Sequence, residues 1–300
     1  MAEPAVFEKQ RSRLWGIAYR ITGSVADAED AVQETWLRWQ SLPDGEADDA
    51  RAYLTTVVSR ICYDQLGSAR ARRESYIGTW LPEPVVTDAA GGGAVQGPYD
   101  PEDGVTLDES VGVALLTVLE RLTPAERTAF ILHDVFAVPF PEIADVVGRT
   151  PDSVRQLASH ARRRVRAETP RRSVDRDEHR RTVEAFLAAV TGRDFEGLLE
   201  LLDPEVVWRS DGGGKVTAAR LPILGDEKVA RFTLRITQGF EPETMRVLVR
   251  DVNGAPGLVF VDPASAQAVV FAFTVHEGRI TEIDAVVNPD KLRHLDLESL

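Results

Sequence analysis

FPEIADVVGRTPDSVRQLASHARRRVR, residues 140–166, parses as a helix, a tight turn and a second helix. Gly148 permits the turn, Thr150 is an N-cap residue, and Pro151 suits the first helical position. At roughly 100° per residue, Val154, Leu157, Ala161 and Val165 share one face and are expected to form the buried stripe. The opposite face carries Asp152, Gln156, Ser159 and Arg163, flanked by Ser153, Arg155, His160 and Arg166. From Gly148 to Arg166 there are six arginines against the single acid Asp152. Side chains of these types bond base edges in a major groove while arginines hold phosphates. The plainer alternative is a solvated basic face on a helical bundle.

That charge is local. The 300-residue chain has a net charge of −13, yet residues 148–172 hold eight arginines against Asp152 and Glu168, a local +6. Residues 51–73 hold Arg51, Arg60, Arg70, Arg72 and Arg73 against Asp64, a local +4. Acidic runs lie at residues 27–34 and 44–49. Segregated charge points to different partners for different surfaces. Cys62 is the single cysteine, which excludes a disulfide framework within the chain and fits a reducing cytoplasm. The N-terminus meets charge before any apolar run, and no stretch approaches the roughly 20 apolar residues of a membrane span. A soluble, cytoplasmic protein without cofactor or metal is expected, by default a monomer when free.

Working outward, residues 7–40 read as helical, with Ala28, Val32, Trp36 and Trp39 on one face. A second helical run covers residues 50–77 through Tyr53, Leu54, Val57, Val58, Ile61, Cys62 and Leu66. The Pro/Gly/Ala-rich stretch beginning WLPEP reads as a linker. Residues 107–166 are again helical, broken at Thr123-Pro124, Val138-Pro139 and Gly148, with Thr123 as an N-cap and Glu126 in the first turn. Beyond TPRRSVDRD the period changes. Helices are expected at 178–190 and 195–202, then strands VVWRSD, MRVLVRDV, GLVFVD, AVVFAFTVHEG and RITEIDAVV, paired antiparallel. The division is 1–78, a linker 79–107, 108–170, and an α+β part 171–300.

DAEDAVQETWLRW, then RAYLTTVVSRICYDQLGSARAR, a linker and the helix-turn-helix together resemble bacterial RNA polymerase sigma factors of the extracytoplasmic-function type, over residues 7–170. The resemblance implies two all-α sigma domains. The first docks core RNA polymerase and engages the −10 element of promoter DNA, and the second reads the −35 element. Carried onto this chain, it assigns Asp30, Gln33, Glu34 and Leu37 to polymerase docking. Arg60, Arg70, Arg72 and Arg73 would contact the −10 region; Ser153, Arg155, Gln156, Ser159, His160 and Arg163 would contact the −35 element. The loop SLPDGEADD corresponds to the part that captures a flipped −10 base. Solvated acids and arginines are the alternative. Trp36 and Trp39 share an apolar face, which favours core packing over base stacking.

Residues 177–287 resemble the SnoaL-like branch of the NTF2-like fold, an α+β cone with a pocket. Three motifs resemble the sigma-factor subgroup carrying that extension, the SigJ-type factors. They are Trp80, Leu81, Pro82, Glu83 and Pro84; Asp211, Gly212, Gly213, Gly214 and Lys215; and Asn288, Pro289, Asp290, Lys291 and Leu292. The subgroup implies regulation in cis without a dedicated anti-sigma protein. DGGGK lacks the Ser/Thr after Lys that a P-loop requires, so a flexible turn admitting another backbone is the better reading. WLPEP is stiff, and Trp80 is a large apolar anchor. The strap is therefore expected to pack near DGGGK and NPDKL. Two alternatives stay open: an unidentified small ligand sensed in the C-terminal pocket, and residual acid–base chemistry from Asp211, His276 and Asp284.

Overall fold

The computed structural model describes residues 3–43, 48–74, 76–88, 112–168, 175–238, 245–265 and 267–298, without the side chains of 68–74. The chain folds into two compact units. The first contains the described residues up to 74 together with 115–168. The second contains 76–88, 112–114 and everything described from 175 onward.

The first unit is helical. Residues 7–40, expected as one helical run, form α1 (Pro4–Glu8), α2 (Arg11–Thr22) and α3 (Val25–Gln40). Gly23, at φ 71°, ends α2 in the left-handed region, and Ser24 then caps α3 by accepting the Asp27 N–H at 3.1 Å. α4 (Ala50–Glu74) buries Leu54, Val58, Ile61, Cys62 and Leu66. These are the apolar positions of its sequence pattern. α5 (Val113–Leu119), which enters this unit at Leu115, precedes α6 (Pro124–Phe130), whose capping box joins Thr123 and Glu126 in both directions. A π-helical turn (Ile131–Val135) follows, then α7 (Phe140–Val147) and α8 (Pro151–Glu168).

Burial holds the Cys62 thiol well above its ordinary pKa, with the charge of Asp27 adding to the effect. Cys62 should therefore resist iodoacetamide at pH 8 until the chain unfolds. Labelling of the native protein at the speed of a free thiol would show that this helix pack opens readily.

The second unit is α+β, with α9 (Arg176–Thr191), α10 (Phe195–Leu201) and α11 (Asp226–Ile236). Its strands are β1 (Val86–Thr87), β2 (Leu202–Asp211), β3 (Ile223–Leu224), β4 (Arg246–Val252), β5 (Ala255–Asp262), β6 (Gln267–His276) and β7 (Arg279–Val286). Their order in the sheet is β1-β4-β5-β6-β7-β2-β3. The pairings are antiparallel except β2 with β7, which run parallel with Trp208 opposite Ile283 and Asp211 opposite Val286. The all-antiparallel expectation is thus corrected: the long excursion through α11, β4, β5 and β6 lets β7 return beside β2 in the same direction. α11, β1 and β3 had not been expected.

The two-residue period of the strands separates two cores. Leu258 and Phe260 of β5 face α9–α11 with Val183, Phe186, Leu198, Trp208, Val229 and Phe273. Val259 and Val261 face the other way and meet Leu81, Val86, Val270, Val286 and Leu292. Between sheet and helices, Phe186, Trp208, Phe260 and Phe271 leave a cavity of about 20 Å³. That is room for about one water. Aromatic rings line the cavity, with Trp208 against Phe232 and Phe271 at 5.3 and 5.7 Å between ring centroids.

Candidate nucleic-acid face and strap-docking site

The turn before α8 forms as its residues dictate. Gly148 takes φ 64° and closes α7, and Thr150 Oγ1 accepts the Ser153 N–H at 3.3 Å. The stripe that faces the core is Val154, Ala158 and Ala161, while Leu157 and Val165 are half-buried. The expected stripe was therefore offset: the row spaced four and three residues apart points directly inward, and its neighbours flank it. Arg155, Gln156, Ser159, His160 and Arg163 are exposed; Ser153 is half-buried.

The arginines divide into two groups. Arg162 Nε donates to Asp134 at 2.5 Å, and Arg164 Nη1 donates to the Arg121 carbonyl at 3.1 Å, so both serve the fold. The side chains of Arg149, Arg163 and Arg166 make no hydrogen bond or ion pair among the described residues. These cations are available to phosphates.

On α3, Val25, Ala28, Ala31, Val32, Thr35 and Trp39 are buried. Trp39 Nε1 donates to the Glu3 carbonyl at 3.2 Å, and Trp36 packs on Phe7 at 4.9 Å between rings. Asp30, Gln33, Glu34 and Leu37 face solvent, Leu37 at 57% exposure. Glu34 pairs with Arg38. On α4, Arg60 is exposed and its Nη2 donates to the Asp145 carbonyl at 2.6 Å. Arg70, Arg72 and Arg73 lie outside the described side chains, and residues 44–47 of the acidic loop lie outside the described residues.

In the second unit one carboxylate gathers the strap. Asp211 is fully buried; its Oδ1 accepts from the Tyr76 hydroxyl at 2.5 Å and the Gly213 N–H at 3.1 Å. Its Oδ2 accepts from the Leu81 N–H at 2.8 Å and the Lys291 ammonium at 2.7 Å. Lys291 Nζ also donates to the Leu81 carbonyl and stands over the Trp80 ring at 3.8 Å. Asn288 Nδ2 donates to the Tyr76 oxygen at 2.9 Å. Burial first, and then the Asp211 carboxylate, push the Tyr76 phenol up, so it remains a donor. His294 Nε2 lies 2.8 Å from the Pro84 carbonyl, and Val85 exchanges hydrogen bonds with Asn253.

The anchor expected at Trp80 is instead Leu81, which is fully buried, while Trp80 is half-buried beneath the ammonium. Tyr76 and Ile77, expected at the end of a helix, belong to the strap because α4 stops at Glu74. The glycines of DGGGK serve close approach. A Cβ on Gly213 would lie 2.2 Å from Asn288 Nδ2, and one on Gly214 would lie 2.9 Å from Ile77 Cδ1, both at positive φ. Lys215 pairs with Asp290, which holds the Asp290 carboxyl below its ordinary range.

The three residues considered for acid–base chemistry have separate surroundings. Asp211 serves the strap, His276 Nε2 sits 3.9 Å from Glu277, and Asp284 pairs with Arg209 at 3.1 Å. Burial, opposed by Arg209, pushes Asp284 up to about 6. No two of them bond each other among the described residues. Tyr76 is the member of the docking site that sequence reasoning missed; Lys291 was named with NPDKL, but its burial against Asp211 was not anticipated.

The Sigma-70 region 2 family matches residues 6–72, and the Sigma-70 region 4 family matches residues 112–165. The ECF RNA polymerase sigma factor SigJ of Mycobacterium tuberculosis is 44% identical over 299 residues, covering 96% of this chain and 93% of that protein. A probable ECF RNA polymerase sigma factor, SigI, from the same species is 37% identical over 295 residues, covering 98% and 96%. The crystal structure of the M. tuberculosis SigJ factor superposes with a TM-score of 0.78 at 39% identity, covering 98% of this chain and all of that one. With a helix-turn-helix and both sigma regions in order, this chain belongs to the extracytoplasmic-function RNA polymerase sigma factors, transcription initiation factors that bind core polymerase and promoter DNA.

Proposed function

We propose that this factor reads the −35 element with the exposed face of α8, meets the −10 region through α4, docks core polymerase through the acidic face of α3, and is regulated in cis through its strap. The hub at Asp211 carries the regulatory reading, because it ties the chain that leaves α4 to the second unit. Twelve residues, 76–87, are held this way. Released and extended, they would add about 40 Å of reach between the two sigma regions. The −35 and −10 elements are separate stretches of one duplex, which rises about 3.4 Å per base pair. Docking or undocking of the strap thus changes whether both elements can be engaged together.

Run-off transcription with purified core polymerase, comparing the full chain with Asp211→Ala and Lys215→Ala variants, tests cis control; identical output from all three would reject it. The α8 reading has its own test. Arg163→Ala should weaken promoter binding by the holoenzyme several-fold and reduce the magnitude of the salt slope by about 0.9. Unchanged affinity and slope would remove this face from the contact.

A further inference from the structure

We propose that Phe140 is a positioning residue for promoter reading: its ring seats the Arg155 guanidinium so that one hydrogen-bonding edge is presented to a base. The inference rests on α8 being the −35 reader. Arg155 lies in the second turn of α8, the part of a recognition helix that meets base edges. Its Cζ stands 5.1 Å from the centroid of the Phe140 ring, and its Nη1 donates to Asp152 at 2.5 Å. The Arg155 and Asp152 side chains are 60% and 87% exposed, so their ion pair alone would hold little. The ring supplies the second constraint. The Phe140 ring flanks the guanidinium and Asp152 takes Nη1, which leaves the Nε–Nη2 edge without a partner among the described residues. That edge is the fork that grips guanine O6 and N7.

The ring is itself held. Phe140 begins α7 after Pro139, and the His133 ring stacks on it at 3.9 Å between centroids and 26° between planes. His133 is fixed in turn by its Nδ1, 3.1 Å from the Val138 carbonyl. The π-helical turn 131–135, closed by Phe136 N–H to the Ile131 carbonyl, and Ala137 at φ 55° bring His133 back over the start of α7. Both are unusual backbone states, of the kind that persist where surrounding structure demands them. The stack His133–Phe140–Arg155 therefore runs from the turn between α6 and α7 to the base-reading face. A pre-oriented arginine loses less freedom on binding, so the stack raises discrimination at the base pair Arg155 meets.

The test measures base preference, using reconstituted holoenzyme and a duplex library randomised across the −35 region. Arg155→Ala should flatten the preference at one base pair. Phe140→Ala, and Phe140→Leu, which keeps apolar bulk without a π face, should flatten the same position by about fivefold. Phe140→Trp should keep it within twofold, and the salt slope should not move in any Phe140 variant. Arg155→Ala flattening a position that Phe140→Leu leaves sharp would overturn the positioning role while sparing the α8 reading. Loss spread evenly over all positions would assign Phe140 to packing alone and also overturn it. Arg155→Ala changing no preference would overturn both.

Discussion

Asp211→Ala should destabilise the second unit by about 4 kcal/mol, within the range of 3–5 kcal/mol for removing one member of a buried ion pair. The carboxylate receives the Tyr76 hydroxyl, the Leu81 and Gly213 N–H groups and the Lys291 ammonium. Its removal strands an ammonium inside the protein, and each neutral donor left without an acceptor adds to the cost. In calorimetry the transition of this unit should fall by about 10 °C. Limited proteolysis should open the chain within residues 76–87, because the strap loses the contact that crosses it. Asp211→Asn should be milder, as it keeps an acceptor, and Lys291→Met in the Asp211→Ala background should recover part of the loss by removing the stranded charge. A transition within about 1 kcal/mol of wild type would show that the strap is held by Leu81 and β1 alone.

Arg127→Ala should have the next largest effect, about 3 kcal/mol on the first unit. Arg127 is buried in α6, where burial pulls its pKa down to about 9, so it is still charged at pH 7. Its Nε and Nη2 donate to the Arg20 carbonyl at 3.3 and 3.1 Å, and its Nη1 pairs with Glu120. The Arg20 carbonyl belongs to the last turn of α2, which has no later N–H of its own helix to receive, so Arg127 caps the first sigma region from the second. Nearby, Arg13 and Arg20 lie 5.7 and 5.4 Å from the Phe136 ring, and Arg13 donates to Thr55 at 2.7 Å. A helical body of about 125 residues has a radius of gyration near 14 Å. Engaging both promoter elements through α4 and α8, as proposed, would require the two sigma regions to part. Arg127→Ala should lower the thermal transition of this unit by roughly 8 °C and raise the distance between fluorophores placed on α3 and α8 in the free factor. An unchanged distance and transition would show that the clasp is incidental.

The legible parts of this chain are those whose physics is local. Thr150, Pro151 and Gly148 specify the turn of the helix-turn-helix through caps and a left-handed residue, and these reappear atom by atom. Alternating Val and Phe residues in GLVFVD specify a strand with two buried faces. Residues 7–40 misled because Gly23 in a long helical pattern carries little weight unless its positive φ is known. β1 and β3 are two residues each, too short for any period to register.

The strap motifs show the boundary most clearly. WLPEP, DGGGK and NPDKL could be named as partners, and their stiffness and glycine content anticipated. That Asp211 rather than Lys215 is the hub, that Lys291 is the buried cation, and that Leu81 rather than Trp80 enters the core all depend on strand register. β2 places Asp211 beside Val286, so the turn after β7 delivers Lys291 to the same point. Composition, charge segregation and capping determined the helix-turn-helix and its basic second helix, and the motif resemblance supplied the family. Tertiary structure alone decided which charges are buried together, because that energy depends on distances between residues far apart in the chain.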